Sequence, residues 1–185
     1  MRTMASELYR GRRSIRQFQP KPVPRELLMR LADAARLAPS ATNVQPWRFI
    51  IIDDPKLKEA FSGAAFSGIY SQTKFAARAP VLILVLSKPA IVANRIGKQI
   101  QGIAFHLIDI GIAGEHLVLA AQEQGLGTCW IGWFNPRRVR KFFKIPRSYK
   151  PIVVIAMGYP EKTELRPKAR KELRDIAWFN AFGAS

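Results

Sequence analysis

The sequence predicts an α+β fold in which one β-sheet is flanked by helices. Three observations carry that reading. Four short apolar or β-branched runs, near residues 47–52, 81–86, 128–133 and 152–157, have strand character. Segments 24–38 and 99–124 repeat their apolar residues at helical spacing. The two kinds of element alternate without a regular strand–helix–strand rhythm, which argues against a doubly wound sheet.

The elements follow in order. Residues 6–10 read as a short helix stopped by Gly11, and residues 12–18 as a basic, extended segment. Pro20, Pro22 and Pro24 keep the next stretch out of a helix. Pro24 suits a first helical turn and Glu26 the positive helix end. Leu27, Leu28, Leu31, Ala34, Ala35 and Ala38 then form one face, ended by Pro39. After the strand at 47–52, Asp54-Pro55 caps a short helix reaching about Phe61. Residues 63–77 are rich in small residues and read as a loop with a short helix. In the long segment 99–124, Ile103, Leu107, Ile110, Gly114, Leu117, Val118 and Ala121 make a helical stripe that Gly125 stops. Its apolarity over 108–121 predicts burial on most sides, in part by a second subunit. Asn135-Pro136 caps another helix with Val139, Phe142 and Phe143 inward. The tail, 171–182, carries Trp178, Phe179 and Phe182, rings that need a surface to bury on.

With 185 residues, 48% of them hydrophobic, the chain suits a single domain, 1–185, with a real core. The longest strongly apolar run, 79–86, is far short of the roughly 20 residues that span a bilayer. No apolar stretch follows the N-terminal arginines, so no secretory leader and no membrane partner are expected. A single cysteine, Cys129, fits a reducing cytoplasm. The net charge of +17 requires an account: nucleic acid, an acidic surface or anionic small molecules.

Most catalytic chemistries lack their residues. His106 and His116, even with Asp109, do not make a zinc site. Cys129 sits among bulky strand neighbours and reads as a buried inert thiol. No serine stands in a G-x-S-x-G elbow. Gly125-Leu-Gly127 precedes a strand instead of following one and reads as a helix stop. Segment 135–151 holds Arg137, Arg138, Arg140, Lys141, Lys144, Arg147 and Lys150 with no acid, but its aromatic residues share the core face and no nucleic-acid motif accompanies it. A solvated basic helix, without specific nucleic-acid binding, is the expectation.

Three segments look chosen for an anion and a flat ring. In Arg12-Arg13-Ser14-Ile15-Arg16 an extended chain throws Arg12, Ser14 and Arg16 to one side and Arg13 to the other. Two guanidiniums flanking a hydroxyl suit a phosphate. The stretch 39–47, PSATNVQPW, offers small hydroxyls and amides to a polar ring edge. Lys168 and Arg170, in a late loop, add two cations. Together they suggest a phosphorylated aromatic cofactor.

The same residues carry a family resemblance. RRSIRQF at 12–18, Pro22-Val23-Pro24 and APSATNVQPWRF at 38–49 stand in the order and separation of two signatures. GLGTCWIG at 125–132, Val139 with Lys144-Ile145-Pro146, IAMGYP at 155–160 and Lys168-Ala169-Arg170 match later landmarks. On these, the chain resembles the FMN-dependent nitroreductase family of oxidoreductases over almost its whole length.

The resemblance implies a central mixed sheet flanked by helices and an intertwined homodimer, the tail from about 171 packing on the partner. It implies FMN at the dimer interface, in two sites built from both chains. Arg12, Ser14, Lys168 and Arg170 would hold the phosphate, with Arg13 adjacent. Arg16 would approach the pyrimidine edge. Pro39, Ser40, Ala41 and Asn43 would line the ring from the partner subunit, and Trp130, Ile131 and Gly132 would supply backbone contacts near N5. Arg95, Lys98 and Gln99 are candidates for mid-chain contacts. The implied activity is hydride transfer from NADH or NADPH through the flavin to a small electron-poor acceptor, a nitroaromatic or quinone, by a ping-pong scheme. A flavin store or sensor without turnover would share the same motifs.

Overall fold

The computed structural model describes residues 3–88, 102–162 and 168–183. Thr3 and Ser6 form a reciprocal capping box that starts α1 (Met4–Gly11). An extended stretch leads to α2 (Arg25–Arg36), with Pro24 at its N-cap. A 3-10 turn (Ala41–Asn43) precedes β1 (Trp47–Ile52). The Asp54 side chain accepts the Leu57 N–H to cap α3 (Pro55–Ala65). A 3-10 helix (Gly68–Arg78) leads into β2 (Val81–Ser87). Then come α4 (Phe105–Glu123), β3 (Gly127–Ile131), α5 (Pro136–Phe142), β4 (Lys150–Gly158) and a last 3-10 turn (Leu173–Asp175).

The four strands make one sheet in the order β1-β2-β4-β3, each ladder antiparallel. Every residue of β2 is buried. That is why its sequence is a continuous apolar run and not an alternation. A register shift at Val85/Leu86 bends the β2–β4 ladder. On β3, Ser14 forms a parallel bridge with Thr128, and the Ile15 N–H donates to the Thr128 carbonyl at 2.8 Å. The opening segment thus supplies the parallel component.

Period-two side-chain alternation divides the core in two. On one side, α2 and α4 pack Leu28, Leu31, Ile110 and Leu117 against Val81, Ile83, Val85 and Ile155. On the other, Phe61 of α3, Phe66 just past its end and Val139 of α5 pack against Leu82, Leu84, Cys129, Ile131 and Val154. Phe61 meets Phe66 and Phe142 edge-on, with ring centroids 6.2 Å apart in both pairs. The layers are helix, sheet, helix.

Some boundaries differ from the sequence reading. α3 continues to Ala65, because Phe61, Ser62 and Ala65 fall on its buried face. Residues 68–78 form the 3-10 helix where a loop with a short helix was expected. The long helix begins at Phe105, after Gly102 takes a left-handed φ of 69°. Its expected start at 99–101 lies outside the described residues. Trp133 stands beyond β3, which ends at Ile131. Gly125 takes φ 71°, the left-handed turn that stops α4. The tail rings stay open, Phe179 at 86% and Phe182 at 92% exposure. Among the described residues no helix is long and apolar enough to cross a membrane.

Candidate functional site

The opening segment is fixed by packing. Ile15 and Phe18 are buried beside β3, and a Cβ on Gly127 would collide with Ile15. The bare backbone at 127 lets the segment lie directly against the strand. Alternation then separates the neighbouring arginines. The Arg12 Nε lies 3.5 Å from Glu115 Oε1 on α4. The Arg13 guanidinium turns back onto α1, donating to the carbonyls of Arg10 at 2.5 Å and Arg12 at 3.0 Å. Arg13 thus neutralises the negative end of α1. Arg16 stacks over the Phe75 ring, 5.9 Å from its centroid.

Lys168 arrives from the far end of the chain. Its Nζ donates to the Tyr9 carbonyl at 2.6 Å. Loss of hydration, then repulsion from Arg13, Arg12 and Arg170, holds its ammonium below the ordinary lysine value, with Glu115 opposing. The fold therefore gathers Arg12, Arg13, Lys168 and Arg170 in one place, and Ser14, two residues along the chain from Arg12, is exposed. Among the described residues one carboxylate, that of Glu115, stands among the four cations. Cys129 is buried in the adjoining strand β3. Burial pushes its thiol up, against the pull of Arg16 and Arg12, so it stays protonated and inert.

The Pro39–Asn43 stretch is anchored elsewhere. The Ala41 N–H donates to Asp109 Oδ1 at 3.1 Å, and Asp109 is only 5% exposed. Ser40 Oγ accepts the Gln45 N–H at 2.9 Å. Thr42, Asn43 and Gln45 have φ of 50°, 55° and 48°. Three left-handed non-glycine residues cost on the order of 1 kcal/mol each, a strain that persists only where surrounding bonds impose it. Asp109 and Ser40 supply those bonds.

The Trp130–Gly132 segment that the resemblance nominated is set by α4 as well. Trp130 is half-buried with its ring over Gly114, where any Cβ would overlap the indole. Ile131 is buried and Gly132 exposed at the strand end. One helix thus touches three of the segments: Asp109 holds the Ala41 turn, Gly114 seats Trp130, and Glu115 meets Arg12. Asp109 and Glu115 are about 9 Å apart along the axis.

An arginine–serine opening, a strained small-residue turn and a late lysine–arginine pair on this fold invite comparison with known proteins. The profile of the nitroreductase family matches residues 9–159. The chain belongs to the nitroreductase family. A putative NADH dehydrogenase/NAD(P)H nitroreductase of Methanothermobacter thermautotrophicus is 32% identical, over 83% of this chain and 76% of its own. The crystal structure of a nitroreductase family protein from Clostridium difficile 630 superposes with a TM-score of 0.78 at 31% identity, covering 98% of this chain and 99% of its own. An FMN-dependent nitroreductase of Clostridium difficile R20291 superposes at 0.74 with 26% identity, covering 95% and 98%.

In this nitroreductase-family chain the sequence reading missed Glu115, Asp109 as an anchor, and Phe75 under Arg16. Asp109 had one available signal, a lone carboxylate between Ile108 and Ile110 on an otherwise apolar stretch. Phe75 had none, because the 3-10 helix has no clear period. Arg95, Lys98 and Gln99 lie outside the described residues. Among the described residues no group of three or more His, Cys, Asp or Glu is placed to hold a metal ion.

Proposed function

We propose that this chain is an FMN-dependent oxidoreductase that takes hydride from NADH or NADPH and delivers it to a small electron-poor acceptor, a nitroaromatic or quinone, at one site used in turn. The observation that carries the proposal is the cation cluster. Arg12, Lys168 and Arg170 crowd together against their own repulsion, and Ser14 stands exposed two residues from Arg12. A bound phosphate relieves that repulsion and accepts charge-assisted hydrogen bonds from all of them. Such residues fit the phosphate of FMN.

Bound FMN would supply the two-electron hydride chemistry. The chain's part is to bind and polarise. Arg16, held over Phe75, would place positive charge at the pyrimidine edge, where negative charge collects on reduction. Ser40, Ala41 and Asn43, after Pro39, would line the ring, and Trp130, Ile131 and Gly132 would present backbone to the N5 edge. Arg13 would contribute charge while closing α1. Reduction needs no side-chain nucleophile, in keeping with the inert Cys129.

The site would be completed by a second copy. Leu107 and Ile108 on α4 are half exposed, and Phe179 and Phe182 are almost fully so. An intertwined homodimer would cover both surfaces. Stopped-flow half-reactions test the proposal. NADH or NADPH should bleach the flavin band under anaerobic conditions, and an added nitroaromatic or quinone should restore it. Bleaching without reoxidation by any such acceptor would instead support a flavin store or sensor.

A further inference from the structure

A cavity of about 410 Å³ opens between the start of the 3-10 helix and α5. Ser67, Gly68, Tyr70, Asn135, Arg137 and Arg138 are among its walls, and none of its lining residues is acidic. The walls are fixed. Thr73 Oγ1 donates to the Trp133 carbonyl at 2.8 Å, and Trp133 Nε1 to the Ile69 carbonyl at 2.9 Å. Arg138 Nη1 donates to Ser67 Oγ at 2.6 Å. Tyr70 and Trp133 pack their rings with centroids 5.2 Å apart, and Trp133 is 53% exposed. Trp133 directly follows Gly132, so the cavity adjoins the strand end proposed to face N5.

The two arginines are placed against local electrostatics. Both stand in the first turn of α5, where the backbone N–H groups already concentrate positive charge, and that turn has no acid. Arg137 and Lys141 are like charges at i,i+4, which also disfavours the helix. Neither Arg137 nor Arg138 forms an ion pair among the described residues. Two guanidiniums and a hydroxyl at a rigid cavity beside half-buried Tyr70 and exposed Trp133 match a phosphomonoester on a ring-bearing molecule.

We propose that Arg137, Arg138 and Ser67 form a phosphate subsite that selects a phosphorylated substrate, one whose ring lies by Trp133 and whose phosphate enters this cavity. The inference rests on the flavin reading for its catalytic meaning, but the subsite binds phosphate whether or not flavin is present. Two sources share the chemistry: the 2′-phosphate of NADPH, or a phosphorylated acceptor.

The test compares wild type with R137Q/R138Q, and with K141Q/K144Q as a charge-matched control outside the cavity. The probe is 2′,5′-ADP, titrated calorimetrically against FMN-loaded protein and against protein freed of flavin. R137Q/R138Q should weaken its binding about tenfold or more, while the control stays within about twofold. In the reductive half-reaction R137Q/R138Q should lose about tenfold in rate constant with NADPH and little with NADH, if the reductant is the source. If the acceptor is the source, the loss should appear only in reoxidation by free FMN as against riboflavin. Equal losses in the two double variants, or unchanged binding in R137Q/R138Q, overturn the proposal. Wild type that binds 2′,5′-ADP through these arginines but takes up no FMN would overturn the flavin reading and leave the subsite standing.

Discussion

Asp109 shows how one side chain carries a disproportionate part of the site. Its buried carboxylate accepts the Ala41 N–H at the head of a turn with three left-handed residues nearby. Asp109→Ala leaves that donor without its partner and should cost about 1–3 kcal/mol, read as a lower denaturation midpoint with weaker FMN uptake. Asp109→Asn keeps an acceptor oxygen and should recover most of both. Recovery of stability without recovery of FMN uptake would show that the anchor does not serve the ring. Lys168 gives a pH signature. Its ammonium sits below the ordinary lysine value in the free protein, and a bound phosphate would raise it. Its contribution to FMN affinity is then complete below the free-state value and lost as pH rises through the bound-state value. FMN titrations from neutral pH upward should weaken progressively, and Lys168→Arg should flatten the curve. The arginines, Ser14 and Lys168 were legible because extended alternation and charge class suffice to nominate them. Glu115 and Asp109 were not, because their roles depend on which segment packs against α4, a tertiary fact.

At the scale of elements, α4 is the organiser. It spans Phe105–Glu123, and its stretch from Asp109 to Glu115 meets the Ala41 turn, Trp130 and Arg12. Gly114→Ala would drive a methyl into the Trp130 ring, so the helix or the strand end must give way. We expect about 1–3 kcal/mol of destabilisation and a shifted flavin visible spectrum in whatever protein stays folded. An unchanged spectrum would separate Trp130 from the ring. The strands and the helices with strong caps were readable in advance, since Asp54 and Asn135 cap α3 and α5 and β2 is an uninterrupted apolar run. The 3-10 helix was not. Gly68–Arg78 owes its shape to Thr73 and Trp133 hydrogen bonding across to each other's segments, over 60 residues of sequence. Local periodicity holds no trace of such a bond.

For the whole molecule, the sheet binds two cores, and the apolar surface left exposed includes the flank of α4 and the aromatic tail. A chain ending after residue 171 should sediment as a monomer, or as a dimer with reduced stability, and should lose FMN. An intact dimer with full flavin would remove the tail from the site. The +17 charge has two proposed local sinks, the Arg12–Lys168 cluster and the Arg137–Arg138 cavity, yet they account for only part of it. The remainder should act through the field, so rate constants for phosphorylated nicotinamides should fall as salt is raised across the range where the screening length drops below ~10 Å.

The most direct measurement is a paired titration of flavin-free protein with FMN and with riboflavin, which differ only in the phosphate. The clustered cations predict one FMN per chain, bound about a hundredfold or more tighter than riboflavin, with the difference largely erased in Arg12→Ala. Equal affinity for the two flavins, or failure to bind either, would contradict the account.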